Sequence, residues 1–140
     1  MDKNFKIIEK LRTCGLRPTK QRIKIAQFLF NRKKTFHFTV EKLEAMINLK
    51  SKNEKISLAT FYNTIHAFKK SGHLKEILTN NNKSYFDTNI ESHHHFFDPK
   101  NNSLTDINSE AIKLKNIPKA PKGKKIKDIE VVINIENDYH

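Results

Sequence analysis

The stretch that decides the fold is Ser57–Leu74, SLATFYNTIHAFKKSGHL, because it encodes one amphipathic helix with a start signal and a stop signal. The Ser57 hydroxyl can cap the first turn, and Gly72 stands where helices commonly end on a residue of positive φ. These signals predict a helix from about Leu58 to Lys70, which we call the reading helix. Apolar residues at three- and four-residue steps predict its buried stripe: Leu58, Phe61, Ile65 and Phe68.

The opposite face of the reading helix suits a DNA groove. Its small, polar and cationic side chains would let the backbone approach bases and phosphates, and they are Ala59, Thr60, Asn63, His66, Ala67 and Lys70. Tyr62 lies at the edge between the two faces. An ordinary surface helix of a globular domain is the alternative interpretation, and the charge of the chain favours DNA over it.

The net charge of +12 is confined to the first part of the 140-residue chain. Residues 1–83 hold 19 Lys and Arg against 6 Asp and Glu, whereas residues 84–140 hold 8 against 9. A basic footprint on the part that carries the helices indicates a polyanionic partner, and nucleic acid is the leading one. A membrane is disfavoured because no run is long and apolar enough to span it. The start MDKNFK and the single Cys14 favour a cytoplasmic protein.

Helices followed by a hairpin predict an N-terminal winged helix-turn-helix domain over residues 1–88. Three short helices precede the reading helix, starting near Phe5 and at the capping residues Thr19 and Thr39. Leu74–Leu78 and Ser84–Thr88 then predict two strands around a polar turn. We expect Arg17, Lys20 and Arg22 to contact phosphates, and Thr60, Tyr62 and Asn63 to face the bases.

Residues 89–140 predict a small α/β domain. Its elements are a strand at Leu104–Ile107, a short helix at Ser109–Lys115 and an alternating strand at Ile126–Ile135. So few elements bury too little apolar surface to be stable alone. We therefore expect a dimerisation domain that packs against a second copy, which gives an α+β protein overall.

The run Ser92–Phe97, SHHHFF, carries the metal chemistry. On a strand, His93 and His95 would face one side and His94 the other. Imidazoles with nearby carboxylates suit Zn, Mn or Fe, and the same imidazoles can ligate haem, for which Phe96 and Phe97 supply an apolar surface. A solvated histidine cluster with no ligand is the alternative.

Five segments in order resemble the ferric uptake regulator family over about residues 4–136: GLRPTKQRIKIAQFLF, HFTVEKL, SLATFYNTIHAF, KSYFDTN and HHHFF. The runs FDTNIESHHHFFD and KIKDIEVVINI are most similar to its iron response regulator branch. The resemblance implies an iron- or haem-responsive homodimeric regulator, mainly a repressor, of iron uptake and haem synthesis genes. It also implies one metal site between the two domains and a second in the dimerisation domain. The positions that match the first are His37, Asp87, His94 and Asp106, and those that match the second are His93 and His95 with Glu110 or Asp128.

Departures from the family pattern alter these expectations. The cysteine pairs that hold structural zinc are absent, so we predict no such zinc. Asn63 stands where many members have Arg, which predicts a different operator. Phe96 replaces a further His of the common run, and Cys14 is followed by Gly15 rather than Pro, so a haem response would run through His93, His94 or His95.

Two rival functions remain. A metal-dependent hydrolase could use clustered histidines, but the sequence has no HExxH motif and no nucleophile constellation, so we expect no enzyme. A metal-independent winged-helix regulator would share the N-terminal half and differ only in the role of the histidines. A zinc- or manganese-sensing member of the family is a further alternative.

Overall fold

The computed structural model describes residues 3–51 and 53–139. The chain divides into two compact units, Met1–Ile90 and Glu91–His140, which we call the N-terminal and C-terminal units. The predicted boundary lies two residues earlier, between residues 88 and 89. Among the described residues, none of the helices has the length and apolar character needed to cross a membrane.

Four helices build most of the N-terminal unit. The predicted capping residues are confirmed at three of their starts, where Thr19, Thr39 and Ser57 each accept a hydrogen bond from the backbone N–H three residues later. The helices are α1 (Lys3–Thr13), α2 (Lys20–Phe30), α3 (Val40–Leu49) and α4 (Leu58–Lys70).

The reading helix, α4, has the predicted bounds and ends in a Schellman motif. Gly72 has φ +82°, and its N–H donates to the Lys69 carbonyl at 3.0 Å while the His73 N–H donates to the Phe68 carbonyl at 2.9 Å. The predicted stripe was wrong at one position, since Leu58 is 41% exposed. Thr64 is buried instead, because its hydroxyl donates to the Thr60 carbonyl at 2.7 Å and so needs no water.

A three-stranded antiparallel sheet forms the wing. The predicted hairpin is confirmed as β2 (Lys75–Leu78) and β3 (Ser84–Asp87), with Asn82 in its turn at φ 60°. A strand that was not predicted, β1 (His37–Phe38), pairs with β3, so the order is β1-β3-β2. Two residues carry too short a pattern to be recognised in a sequence.

The core of the N-terminal unit joins one face of every helix to the wing. Phe38, Phe61 and Phe68 are all but inaccessible to solvent, and the wing contributes Phe86. On α2, Ile25, Ala26 and Leu29 are buried, whereas Ile23 and Phe30 pack against this core and are only partly buried. Phe61 and Phe68 lie on one face of the reading helix, and Phe68 packs edge-on against Phe30 of α2 with ring centroids 5.1 Å apart, which fixes the orientation of the reading helix relative to α2.

The C-terminal unit is a three-stranded sheet of order β5-β4-β6. The strand β4 (His94–Asp98) pairs antiparallel with β5 (Ser103–Ile107) and parallel with β6 (Val132–Asn134). The predicted helix at Ser109–Lys115 was wrong, since one 3-10 turn, Ser109–Ala111, stands there. Leu114 and Ile117 are exposed, so this segment does not bury the apolar stripe that would stabilise a helix.

The predicted strand Ile126–Ile135 is largely irregular. Only Val132–Asn134 is a strand, because its neighbour β4 begins at His94 and the register pairs His95 with Val132. Residues 126–130 therefore lie beyond the end of β4 and have no strand to pair with. The resulting α+β architecture, a winged helix followed by a small sheet, nevertheless agrees with the predicted fold class.

Replacing Ser57 by Ala tests the start of the reading helix. The side chain accepts the Thr60 N–H at 3.2 Å, and losing such a cap costs about 1 kcal/mol. We expect urea unfolding to show a decrease of that size, whereas Ser57→Asp, which also caps, should retain the stability. An unchanged midpoint for Ser57→Ala would show that packing alone starts the helix.

Candidate metal centre and DNA interface

The three consecutive histidines all lie inside the C-terminal unit. His93 precedes β4, and His94 and His95 begin it; their exposed fractions are 8%, 5% and 1%. The rings of His93 and His95 contact each other, with centroids 4.4 Å apart. The alternation expected of a strand therefore brings these two rings together.

One carboxylate faces both of these rings. Asp106 pairs with His95 across the β4–β5 ladder, and its Oδ1 lies 3.2 Å from Nε2 of His95 and 3.4 Å from Nε2 of His93. One ligand atom of each of the three residues lies within 4.8 Å of those of the other two. A single ion placed among them would be bound by two imidazole nitrogens and one carboxylate oxygen.

The other nitrogen of each ring faces an oxygen atom. Nδ1 of His93 lies 2.6 Å from the Glu91 carbonyl, and Nδ1 of His95 lies 3.1 Å from Oε1 of Glu130. Each of these oxygens can accept a hydrogen bond from Nδ1–H, and in that tautomer Nε2 of the ring is free to ligate an ion beside Asp106. This is the arrangement of histidines that hold a metal, with the outer nitrogen donating to an oxygen. The donor set suits Mn, Fe or Zn.

The other residues predicted to bind metal in this unit lie elsewhere. Nδ1 of His94 accepts the Val131 N–H at 2.9 Å, so that nitrogen has a structural partner. Glu110 lies in the exposed 3-10 turn, and Asp128 is exposed in the irregular segment before β6. Within the described part of the C-terminal unit, the group close enough to share an ion includes none of the three.

Two further predicted ligands lie in the N-terminal unit and contact each other. His37 on β1 and Asp87 on β3 pair directly across the sheet, with Nε2 of His37 3.2 Å from Oδ2 of Asp87. Asp87 is fully buried, and its Oδ1 also accepts the Asn89 N–H at 2.8 Å. The unpredicted strand β1 therefore positions His37 against a buried carboxylate.

The exposed face of the reading helix carries the predicted base contacts. Asn63 is exposed, and Tyr62 is 46% exposed. The Tyr62 hydroxyl donates to Oε1 of Glu41 on α3, and this hydrogen bond raises the pKa of the phenol. Thr60 is partly buried, and its hydroxyl lies 2.9 Å from the hydroxyl of the capping residue Ser57. The Thr60 hydroxyl therefore already has a hydrogen-bond partner within the protein.

The predicted phosphate contacts cluster at the start of α2. Nη1 of Arg22 donates to the Arg17 carbonyl at 3.0 Å, which holds the loop before the helix. Nζ of Lys20 lies 3.1 Å from Oε1 of Glu54 in an exposed pair. Such a pair contributes little to stability, so Lys20 is available for a phosphate.

Two contacting acids were missed in the sequence. Glu130 lies within the stretch predicted as an alternating strand, and the sequence analysis gave neither Glu130 nor Glu41 a role. Neither contact has a sequence signal, because each joins segments that are far apart in the chain. Each is the partner of a residue that the sequence did single out, His95 and Tyr62 respectively.

Residues 13–134 match the profile of the ferric uptake regulator family. The chain belongs to the ferric uptake regulator family. A relative with a similar sequence is the peroxide-responsive repressor PerR of Staphylococcus epidermidis, 33% identical over 100 residues. The match covers 71% of this chain and spans 64% of the length of that repressor.

Two solved structures of the family show the same fold. The Vibrio cholerae ferric uptake regulator has a TM-score of 0.66 at 18% identity, covering 93% of this chain and 98% of its own. The Pseudomonas aeruginosa regulator with manganese has a TM-score of 0.64 at 18% identity, covering 94% and 97%. At this identity the likeness shows the fold alone. The family resemblance is thus confirmed, and the iron response regulator branch remains a prediction.

Proposed function

We propose that the protein is a metal-responsive transcription regulator that binds duplex DNA operators as a homodimer. The observation that carries this proposal is the convergence of Nε2 of His93 and Nε2 of His95 on Asp106. The same chain carries a winged helix whose reading helix exposes Tyr62 and Asn63. Family membership adds support, because the relatives and neighbours are named as metal uptake regulators and repressors.

A more specific part of the proposal concerns the cellular signal to which the metal-bound regulator responds. The resemblance favours iron, with control of iron uptake and haem synthesis genes and mainly repression. The name of the staphylococcal relative favours a second candidate, a response to peroxide. Adding peroxide to the iron-loaded and the manganese-loaded protein separates the two, because only iron readily gives up an electron to peroxide. Loss of operator binding in the iron form alone would favour the peroxide response.

Haem remains a further candidate ligand, through His93, His94 or His95. The three rings are buried, and each has a ring nitrogen engaged with an oxygen or an amide. Because these rings are at most 8% exposed, a haem iron would reach a ring nitrogen only if the surrounding strands moved apart. Titration with haem should therefore produce the Soret shift of histidine ligation only if β4 opens, and a free-haem spectrum would remove this candidate.

The resemblance also places His37 and Asp87 in a metal site together with residues of the C-terminal half, and this part stays a prediction. His37→Ala and His95→Ala test it. If both substitutions lower the affinity for the same single equivalent of manganese, the two halves share an ion. If His37→Ala leaves that affinity unchanged, the C-terminal set binds by itself.

A second copy is proposed to cover β6. This strand is an edge of its sheet, and side chains on and around it are apolar but accessible: Ile129, Ile133 and Ile135 are 37%, 38% and 39% exposed. Edge strands that expose apolar side chains pair with another chain. A dimer related by a two-fold axis would read a near-palindromic operator.

Ile133→Glu is expected to produce monomers. A charge buried against a second copy costs several kcal/mol, whereas Lys127→Glu, also in the C-terminal unit, serves as an exposed control. Analytical ultracentrifugation of the full chain measures the outcome. A dimer of the Ile133→Glu variant as tight as wild type would place the interface elsewhere.

The test of the function combines elemental analysis with operator binding. The purified chain, stripped and reloaded with Mn, Fe or Zn, is bound to candidate promoter fragments. A regulator of the proposed kind binds one of them more tightly with metal than without. Equal binding with and without metal would favour the metal-independent winged-helix regulator.

A further inference from the structure

Both ring nitrogens of His95 face a carboxylate. Nε2 lies 3.2 Å from Oδ1 of Asp106, and Nδ1 lies 3.1 Å from Oε1 of Glu130. The ring is 1% exposed, so water does not compete for either nitrogen. The two carboxylates take opposite ends of one imidazole and therefore have different roles.

The geometry points to Glu130 as a positioning residue of the metal centre: it accepts Nδ1–H of His95 and so holds Nε2 unprotonated and directed at the ion. This inference rests on the proposed metal centre. A neutral imidazole carries one proton, and when this proton lies on Nδ1 in a hydrogen bond to Glu130, Nε2 is free to ligate. An ion beside Asp106 favours this tautomer over the one in which Nε2–H donates to Asp106. For His93 the Glu91 carbonyl can accept the same hydrogen bond, at 2.6 Å.

The backbone around Glu130 is fixed by the histidines themselves. The next residue, Val131, donates its N–H to Nδ1 of His94 at 2.9 Å, and its carbonyl accepts the His95 N–H at 3.1 Å. Two hydrogen bonds from neighbouring histidines thus place the segment that delivers the Glu130 carboxylate. His94 is in this respect a support of the centre.

The same contacts connect the centre to β6. Glu130 lies two residues before Val132–Asn134, the edge strand that carries Ile133. A metal that fixes the His95 ring thereby also fixes the Glu130 carboxylate and the start of this strand. We expect metal to slow hydrogen exchange of the β6 amides, and to slow it less once Glu130 is removed.

The experiment measures manganese affinity of the full chain by competition with a fluorescent chelator. Glu130→Ala removes the acceptor and is expected to weaken manganese binding by about 10- to 100-fold. Glu130→Gln removes the charge but keeps an oxygen that accepts Nδ1–H, so it should retain most of the affinity. Glu136→Gln changes the charge equally at an exposed site and should have no effect.

The tautomer of His95 gives a readout independent of affinity. In long-range ¹H–¹⁵N spectra of the metal-free protein, Glu130→Ala should shift the ring proton from Nδ1 toward Nε2, where Asp106 accepts it. Glu130→Gln keeps an acceptor at Nδ1 and should shift it less. Thermal unfolding checks that each variant is folded.

Three outcomes would overturn the assignment. If Glu130→Gln and Glu130→Ala weaken manganese binding equally, Glu130 acts only as a ligand or through its charge. If Glu130→Ala leaves the manganese affinity unchanged, Glu130 has no role in the centre. An unchanged tautomer in Glu130→Ala would show that something else orients the ring. If wild type itself binds no manganese that His95→Ala removes, the proposed centre fails rather than this inference.

Discussion

Raising the salt concentration from 50 to 200 mM is expected to weaken operator binding by about 10³- to 10⁵-fold, as for a protein that neutralises six to ten phosphates. The reason is the charge of residues 1–83, which hold 19 basic side chains against 6 acidic ones. Bound counterions are released from DNA when these side chains dock, and high salt removes that gain. Fluorescence anisotropy at a series of salt concentrations gives the slope.

Single substitutions divide this affinity into its parts. Lys20→Ala should weaken all DNA sequences alike and lower the slope by about one, and Lys100→Ala in the C-terminal unit should change neither. Asn63→Ala should leave the salt-dependence slope unchanged. It should reduce the free-energy preference for one base pair over the others by about 1 to 3 kcal/mol at one position of the operator. A flat salt response would remove the electrostatic account of the N-terminal unit.

Glu41 is an acidic residue beside the proposed base-reading side chains, and the sequence gave no sign of this contact. It accepts a hydrogen bond from Tyr62, so one of the proposed base-reading side chains is held by an acid on the preceding helix. If this face meets DNA as proposed, the Glu41 carboxylate would repel a phosphate placed beside it, and we expect the phosphate contacts at the start of α2 instead. The reading helix therefore combines a repulsive element with attractive ones.

Local signals predicted the N-terminal unit well because its helices carry their own boundaries. Thr19, Thr39 and Ser57 each cap a helix, and Gly72 ends one, whatever the rest of the chain does. These signals act within a few residues. Leu58 was wrongly predicted as buried because periodicity shows which residues share a face of the helix. It does not show how far the neighbouring elements extend over that face.

The C-terminal unit was predicted less well because its elements depend on neighbours. The length of β6 is set by where β4 begins, and the alternation from Ile126 onward contains no information on that register. In the candidate metal site, too, local contacts could be predicted and contacts between strands could not. Strand alternation correctly separated His94 from His93 and His95, whereas the pairing of Asp106 with His95 follows from the β4–β5 register alone.

Removing His95 is expected to abolish the response of DNA binding to metal. Coupling between two ligands of one protein is typically about 1 to 3 kcal/mol, or 5- to 150-fold in affinity, and it is reciprocal. Manganese should therefore tighten operator binding of wild type by that factor, and operator DNA should tighten manganese binding equally. In His95→Ala both gains should vanish, because Nε2 of His95 is one of the atoms that converge on the ion. Calorimetric titrations with and without DNA measure both.

Two further variants decide what the loss means. Asn has nearly the shape of Asp, and the Asp106 side chain is 41% exposed, so Asp106→Asn should reproduce the loss in a folded protein. His94→Ala separates ligation from support: the family resemblance makes His94 a ligand, but its Nδ1 accepts the Val131 N–H. We expect that variant to keep the coupling and to lose about 1 kcal/mol of stability, since it removes the acceptor of a partly buried amide. If His94→Ala abolishes the coupling and His95→Ala does not, the ion is held from the other face of β4.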